Sequence, residues 1–168
     1  MVVVGEAPGE MEDFKGKGFV GRSGQMLRKD MEQVGISPDK VFFLNIVKCR
    51  PPKNRDPNPK EIKTCLPWLQ KQLEIIKPNI IVTLGRVASQ TLLNTKIGIM
   101  KLRGKMKIRG TMRIFPMPHP RWVLGNNYKH IRTDYREELA NALKLSKEKP
   151  DGEKISWWTY LKRQYEEN

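Results

Sequence analysis

Apolar residues fall along this chain in two alternating arrangements. Short unbroken runs occupy residues 1–5 (MVVVG), 41–47 (VFFLNIV), 79–85 (NIIVTLG) and 111–115 (TMRIF), most of them closed by glycine or proline. Such runs predict strands buried on both faces. Between them, apolar positions recur at helical spacing. Leu27 and Met31 stand four apart within 23–34, and Leu139 and Leu143 mark an apolar stripe over 131–145. Pro59 followed by Glu61 predicts a helix start that runs on to Ile76, and 86–93 reads as a short helix.

Largely apolar strands alternating with helices predict an α/β fold: a three-layer domain with a central, mainly parallel four-stranded sheet flanked by helices. The domain is expected to span 1–146. Residues 147–168 form a charged tail in which Trp157, Trp158, Tyr160 and Leu161 suit a last docking helix. Three segments break the alternation. Residues 6–24 carry glycines at 9, 16, 18, 21 and 24, too many for a helix, and predict a long loop. Pro51, Pro52, Pro57 and Pro59 impose an extended stretch. Around residues 101–110 (KLRGKMKIRG) the chain becomes basic, with no strand or helix assigned. In a parallel sheet, ligands sit beyond the carboxyl ends of the strands. The loops GEAPGE, NIVKCRPP and MPHP are therefore expected to meet at one edge.

A chain of 168 residues fits one domain and buries enough surface to fold without disulfides. No apolar run reaches the roughly 18 residues of a membrane span, so no membrane partner is expected. Valines rather than basic residues follow Met1, which argues against a signal peptide and for a cytoplasmic protein. The 32 Lys and Arg against 18 Asp and Glu leave a net charge of +14. That excess attracts polyanions, nucleic acid foremost; the competing reading is a merely soluble basic surface. Glu6, Glu10, Glu12 and Asp13 crowd the N-terminal part against this trend and point to a site. The two cysteines, Cys49 and Cys65, read from the count alone as buried thiols rather than a disulfide.

Three positions stand out chemically. The loop from Gly5 to Glu10 turns sharply and can offer backbone N–H groups to a ligand; it lacks the GxxxxGK[ST] spacing of a phosphate loop, and a plain tight turn explains it equally well. His119, between Pro118 and Pro120, is held with little freedom at the ligand edge. A lone histidine is more often structural, but its location favours a catalytic reading. Asn45 lies near the end of the 41–47 strand, where asparagine is a poor fit. Its amide sets a donor beside an acceptor, matching a pyrimidine edge, unless it caps its own turn.

In order, spacing and surrounding sequence, GEAPGEMED, GFVGRSGQ, NIVKCRPPKNRDP and MPHP resemble the motifs of the family-4, iron–sulfur uracil-DNA glycosylases, over residues 1–127. The resemblance implies a monomeric enzyme of base excision repair. Acting on uracil-containing DNA, it would flip the base out and hydrolyse its N-glycosidic bond, leaving an abasic site. It implies catalytic roles for His119, on uracil O2, and for Asn45, on the uracil edge. Phe19 would stack on the base, Glu6 and Ala7 would line the pocket, and Glu12 would lie near C5. Ala7 stands near the place where better-known relatives carry a water-positioning carboxylate, so no general base is assigned. Arg50, Lys53, Arg55 and Arg121 would contact DNA, with Lys101, Arg103 and Lys105 as further phosphate contacts. Leu124 would be the wedge that fills the vacated stack. The family also holds a 4Fe–4S cluster on four cysteines. Cys49 and Cys65 match two of them, and the upstream CxxC pair is missing from this sequence, which puts the cluster in doubt. Two other readings are a non-catalytic DNA-binding remnant and a nucleotide-binding α/β protein that uses GEAPGE for phosphate.

Overall fold

The structure is a computed structural model that describes residues 1–110, 112–125 and 129–148. Its centre is a sheet of five strands: β1 (Val2–Gly5), β2 (Phe42–Asn45), β3 (Ile81–Leu84), β4 (Lys107–Arg109) and β5 (Met112–Met117). They lie in the order β2-β1-β3-β5-β4. The first four of that order run parallel, whereas β4 pairs antiparallel with β5.

Side-chain alternation along the buried strands feeds two cores. Val3 and Val82 join one with Leu27, Met31, Phe115, Tyr135 and Leu139. Val2, Val4 and Ile81 join the other with Leu66, Leu69, Leu73, Ala88 and Leu92. Helices α2 (Arg22–Gln33), α6 (Pro120–Gly125) and α7 (Lys129–Lys147) therefore cover one face. Helices α3 (Pro59–Ile76) and α4 (Arg86–Leu93) cover the other. That is the expected three-layer arrangement. No described helix is long and apolar enough to cross a membrane.

The fifth strand is a departure from the expected four. Its residues come from the basic segment, to which the sequence assigns no strand; within β4 only Arg109 is buried, and there is no apolar run. Gly110, at φ 59°, starts the reversal into β5. Because β4 pairs no further than Ile114, Pro116 lies beyond that ladder, where a missing N–H costs little. Two short helices also lie inside expected loops. Helix α1 (Glu10–Lys15) forms where Glu10, Glu12 and Asp13 complement the positive end of the first turn and Gly16, at φ 63°, ends it. Helix α5 is Ile99–Leu102. The proline segment holds a single 3₁₀ turn, Pro52–Asn54. Helix α3 begins with Asn58 and Glu61 bonding reciprocally across its first turn, and Pro59 sits where its missing N–H is harmless. The docking helix expected around Trp157 lies outside the described residues.

This topology prepares a ligand site. The chain leaves β1 for β2 on one side and later returns to β3 on the other side of β1. Loops leaving β1 and β3 thus diverge to opposite faces and open a crevice at the carboxyl edge, where ligands bind in such sheets.

Candidate active site

The crevice is a cleft of about 530 Å³. Glu6 and Ala7 reach it from the end of β1, Asn45 from the end of β2, and His119 from just beyond β5. Glu12 comes from α1 and Phe19 from the loop before α2. All six substrate-site residues singled out in the sequence therefore line one cavity.

Glycines let these groups meet. A Cβ on Gly5 would lie 2.6 Å from Asn45 Oδ1 and 2.8 Å from Phe19 Cζ. On Gly85, at φ 90°, it would lie 2.5 Å from Glu6 Oε1 and 3.1 Å from His119 Cβ. Both positions are closed to any larger residue without displacing the site.

Phe19 is held by its surroundings. Its backbone is left-handed, φ 57°, a conformation that costs a phenylalanine free energy unless neighbours fix it. Arg28 Nε donates to Phe19 O at 3.2 Å, and its Nη2 donates to Gly18 O at 3.2 Å. The same guanidinium lies 4.2 Å over the Phe43 ring, which packs 5.1 Å from Phe19. From the other side, Glu12 Oε1 accepts the N–H groups of Val20 at 2.9 Å and Gly21 at 2.7 Å. Glu12 thus staples α1 to the loop that carries the ring.

His119 has one nitrogen engaged. Its Nδ1 accepts the backbone N–H of Arg121 at 3.1 Å, so in the neutral ring the proton sits on Nε2. Burial, and then the positive charge of Arg121, lower its pKa to about 4. At neutral pH it is an uncharged imidazole with a single N–H to offer. The Asn45 amide makes no hydrogen bond with any described residue, whereas its backbone carbonyl accepts from Lys48 Nζ at 2.8 Å. Burial lowers Lys48 to about 8, with Cys65 opposing the shift, and Gln72 Oε1 accepts from the same amine at 2.6 Å. Glu6 Oε1 accepts Val87 N–H at 3.1 Å; burial raises its pKa, and Asp56 adds to the rise.

A neutral imidazole donor, an uncommitted amide and an aromatic face share this cleft, and the sequence comparisons agree on what such a cleft belongs to. The sequence model of the Uracil DNA glycosylase superfamily matches residues 1–144. The chain belongs to that superfamily. It is 40% identical over 144 residues to the Type-4 uracil-DNA glycosylase of Thermotoga maritima, covering 84% of this chain and 75% of that protein. It is 42% identical over 159 residues to the one from Saccharolobus solfataricus (89% and 73%) and 45% identical over 150 residues to the one from Pyrobaculum aerophilum (83% and 74%).

In this superfamily member the remaining sequence-derived residues are dispersed. Arg55 and Arg121 line the cleft, but Arg50, Lys53 and Leu124 do not. Arg50 Nε donates to Asn54 Oδ1 at 2.8 Å, with Glu10 at 3.7 Å. Arg55 grips Glu61 through both terminal nitrogens, at 2.8 and 2.7 Å, and pulls that carboxyl down to about 2. Arg103 is paired with Glu138 at 2.7 Å. Residues 120–125 form α6, and Trp122 rather than the expected wedge Leu124 lines the cleft. Sequence reasoning gave no role to Asp56, which lines the cleft and pairs with Arg86 at 2.6 Å, 30 positions along the chain. Only its position in the motif NRDP hinted at it.

Cys49 is exposed and Cys65 half-buried. Among the described residues, no group of three or more His, Cys, Asp or Glu is placed to hold a metal. Two thiols cannot complete a four-thiolate cluster. The donor set among the described residues does not fit a 4Fe–4S group.

Proposed function

We propose that this chain is a uracil-DNA glycosylase that receives an extruded uracil in the β1–β3 crevice and hydrolyses its bond to deoxyribose. The observation that carries the reading is the His119 tautomer: a neutral ring with Nδ1 occupied and Nε2–H left for a ligand. As the C1′–N1 bond breaks, its electron pair passes to the uracil ring and charge gathers on O2. A neutral N–H donor there stabilises the transition state more than the ground state. Because the ring does not ionise until about pH 4, it acts as an electrostatic donor and keeps its proton.

Asn45 supplies the reading of the base. Its Oδ1 accepts from uracil N3–H while Nδ2 donates to O4. Cytosine presents a bare N3 and an amino group at those places, which would set acceptor against acceptor and donor against donor. The Phe19 face supports stacking on the flipped ring. Glu12, through the loop it ties down, acts by positioning Phe19. The sugar becomes cationic as the base departs, and the carboxylates of Glu6 and Asp56 favour that charge. Water attacks C1′, forming the new C–O bond and releasing a proton to solvent.

The deciding assay uses a duplex with a single uracil, followed by alkali to break the abasic strand. The wild-type chain is expected to cut at uracil and to spare thymine. His119→Ala is expected to lower kcat about 10²–10³-fold, the usual effect of losing one such donor, while the melting temperature holds. A folded wild-type sample that leaves uracil in place would overturn the reading.

A further inference from the structure

A second groove, of about 560 Å³, lies beside the cleft and is lined by the start of α4 and by residues 96–101. Three of its lining residues, Arg86, Lys96 and Lys101, are cations, and none is a carboxylate. Ile97 and Met100 also line it and leave about half of their surfaces in water (49% and 56%). The groove is tied to the cleft. Arg86 Nη2 donates to Asp56 at 2.6 Å, and its Nη1 donates to Gln90 at 3.2 Å. Gln90 Nε2 in turn donates to Ile97 O at 3.2 Å, and Ile97 N–H to Thr95 Oγ1 at 3.2 Å. The loop is therefore anchored to the helix whose first residue touches the cleft wall.

We propose that this groove is a second strip of the DNA interface, holding the phosphodiester backbone to one side of the extruded nucleotide. The inference rests on the glycosylase reading. Cations flanking a stretch of apolar side chains match a strand whose phosphates are anionic and whose deoxyriboses present C–H faces. Two of the three basic residues of the proline segment, Arg50 and Arg55, are already engaged, by Asn54 and by Glu61. Arg86 is better placed. Its pair with Asp56 is more than half exposed on both sides, and such pairs hold their partners weakly. A phosphate can take the guanidinium over as DNA settles.

The test is binding of a fluorescent duplex carrying a tetrahydrofuran abasic-site analogue, titrated across salt concentrations. Replacing Lys96 and Lys101 together by Gln is expected to flatten the log Kd against log salt slope by about 1.8, since each lost phosphate contact removes about 0.9. The double variant is also expected to raise KM on a long uracil duplex without lowering kcat. On an oligonucleotide with one nucleotide either side of uracil, it is expected to match the wild type. The control is Lys63→Gln with Lys71→Gln on α3, outside both cavities, and its slope is expected to stay at the wild-type value. An unchanged slope in the Lys96/Lys101 variant, or an equal drop in the control, would overturn the groove. Failure of the wild-type chain to release uracil would instead sink the glycosylase reading, and the slopes would still decide the groove.

Discussion

Two clusters of polar side chains are enclosed by this fold, and they follow opposite rules. Between α2 and α7, the fully buried Asp30 carboxylate is saturated. Arg132 donates to it through Nε and Nη2 at 2.9–3.3 Å, and Arg136 donates through Nε at 2.9 Å. In the cleft, one His119 nitrogen and the Asn45 amide have no hydrogen-bond partner among the described residues. Polar groups removed from water cost free energy unless they are paired. The first cluster meets that demand internally and joins two helices. The second leaves it unmet in an open cleft, where a ligand carrying the complementary pattern recovers the difference. A satisfied network marks architecture, and an unsatisfied one marks function.

The contrast is sharpest at the extremes. His119→Ala, assayed as above, should strike chemistry and spare the fold. Asp30→Ala should do the reverse. Breaking a buried ion pair costs about 3–5 kcal/mol, and the partly exposed arginines here place the expected loss near about 3 kcal/mol. Urea unfolding gives that number, and single-turnover cleavage corrected for the folded fraction gives the chemistry. A variant that keeps its stability but loses kcat would show that the Asp30 cluster reaches the active site, and the division between the two clusters would collapse.

A smaller effect separates them by pH. His119 titrates near 4 in the folded chain against an ordinary 6.5. Between those values the unfolded chain takes up a proton that the folded one refuses, so stability falls as pH falls through this window and is fully present above it. The unfolding free energy of the wild type should therefore drop more steeply from pH 6.5 to 4.5 than that of His119→Ala. Glu6, displaced upward, works in the opposite sense but is common to both proteins. Parallel pH dependences would mean that burial does not hold the ring neutral. Catalysis, for its part, should show no His119 break near pH 6.5.

The sequence carried one of these clusters far better than the other. Strand ends were readable because apolar runs stop there, and Asn45 and His119 stood out as residues that such ends do not need. Their convergence followed from the parallel sheet alone. The staple from Glu12 to Val20 and Gly21 was not readable, because α1 was hidden among glycines; its acidic first turn and Gly16 were the available signals. Charge partners were the hardest to foresee. Asp56 meets Arg86 from 30 positions away, and Arg132 and Arg136 meet Asp30 from more than 100. No periodicity encodes such choices; they depend on which helices the cores press together. Strand β4 escaped for a related reason. It borrows its order from the β5 edge and has no apolar run of its own.

The smallest expected effect probes an unpaired group beside the saturated cluster. Tyr135 is fully buried, yet its hydroxyl has no hydrogen-bond partner among the described residues. Burial, with Asp30 and Glu138 nearby, pushes its pKa well upward, so the group stays a neutral phenol. An unpaired buried hydroxyl costs about 1–3 kcal/mol, and replacing it by hydrogen removes that cost while opening a gap no larger than one oxygen. The two changes oppose each other. Tyr135→Phe should therefore leave the unfolding free energy unchanged or raise it by up to about 1 kcal/mol, with uracil excision untouched. A loss of 1 kcal/mol or more would show that the hydroxyl is satisfied in solution, by water or by Glu138, and that the helix-joining cluster is even more fully paired than its geometry shows.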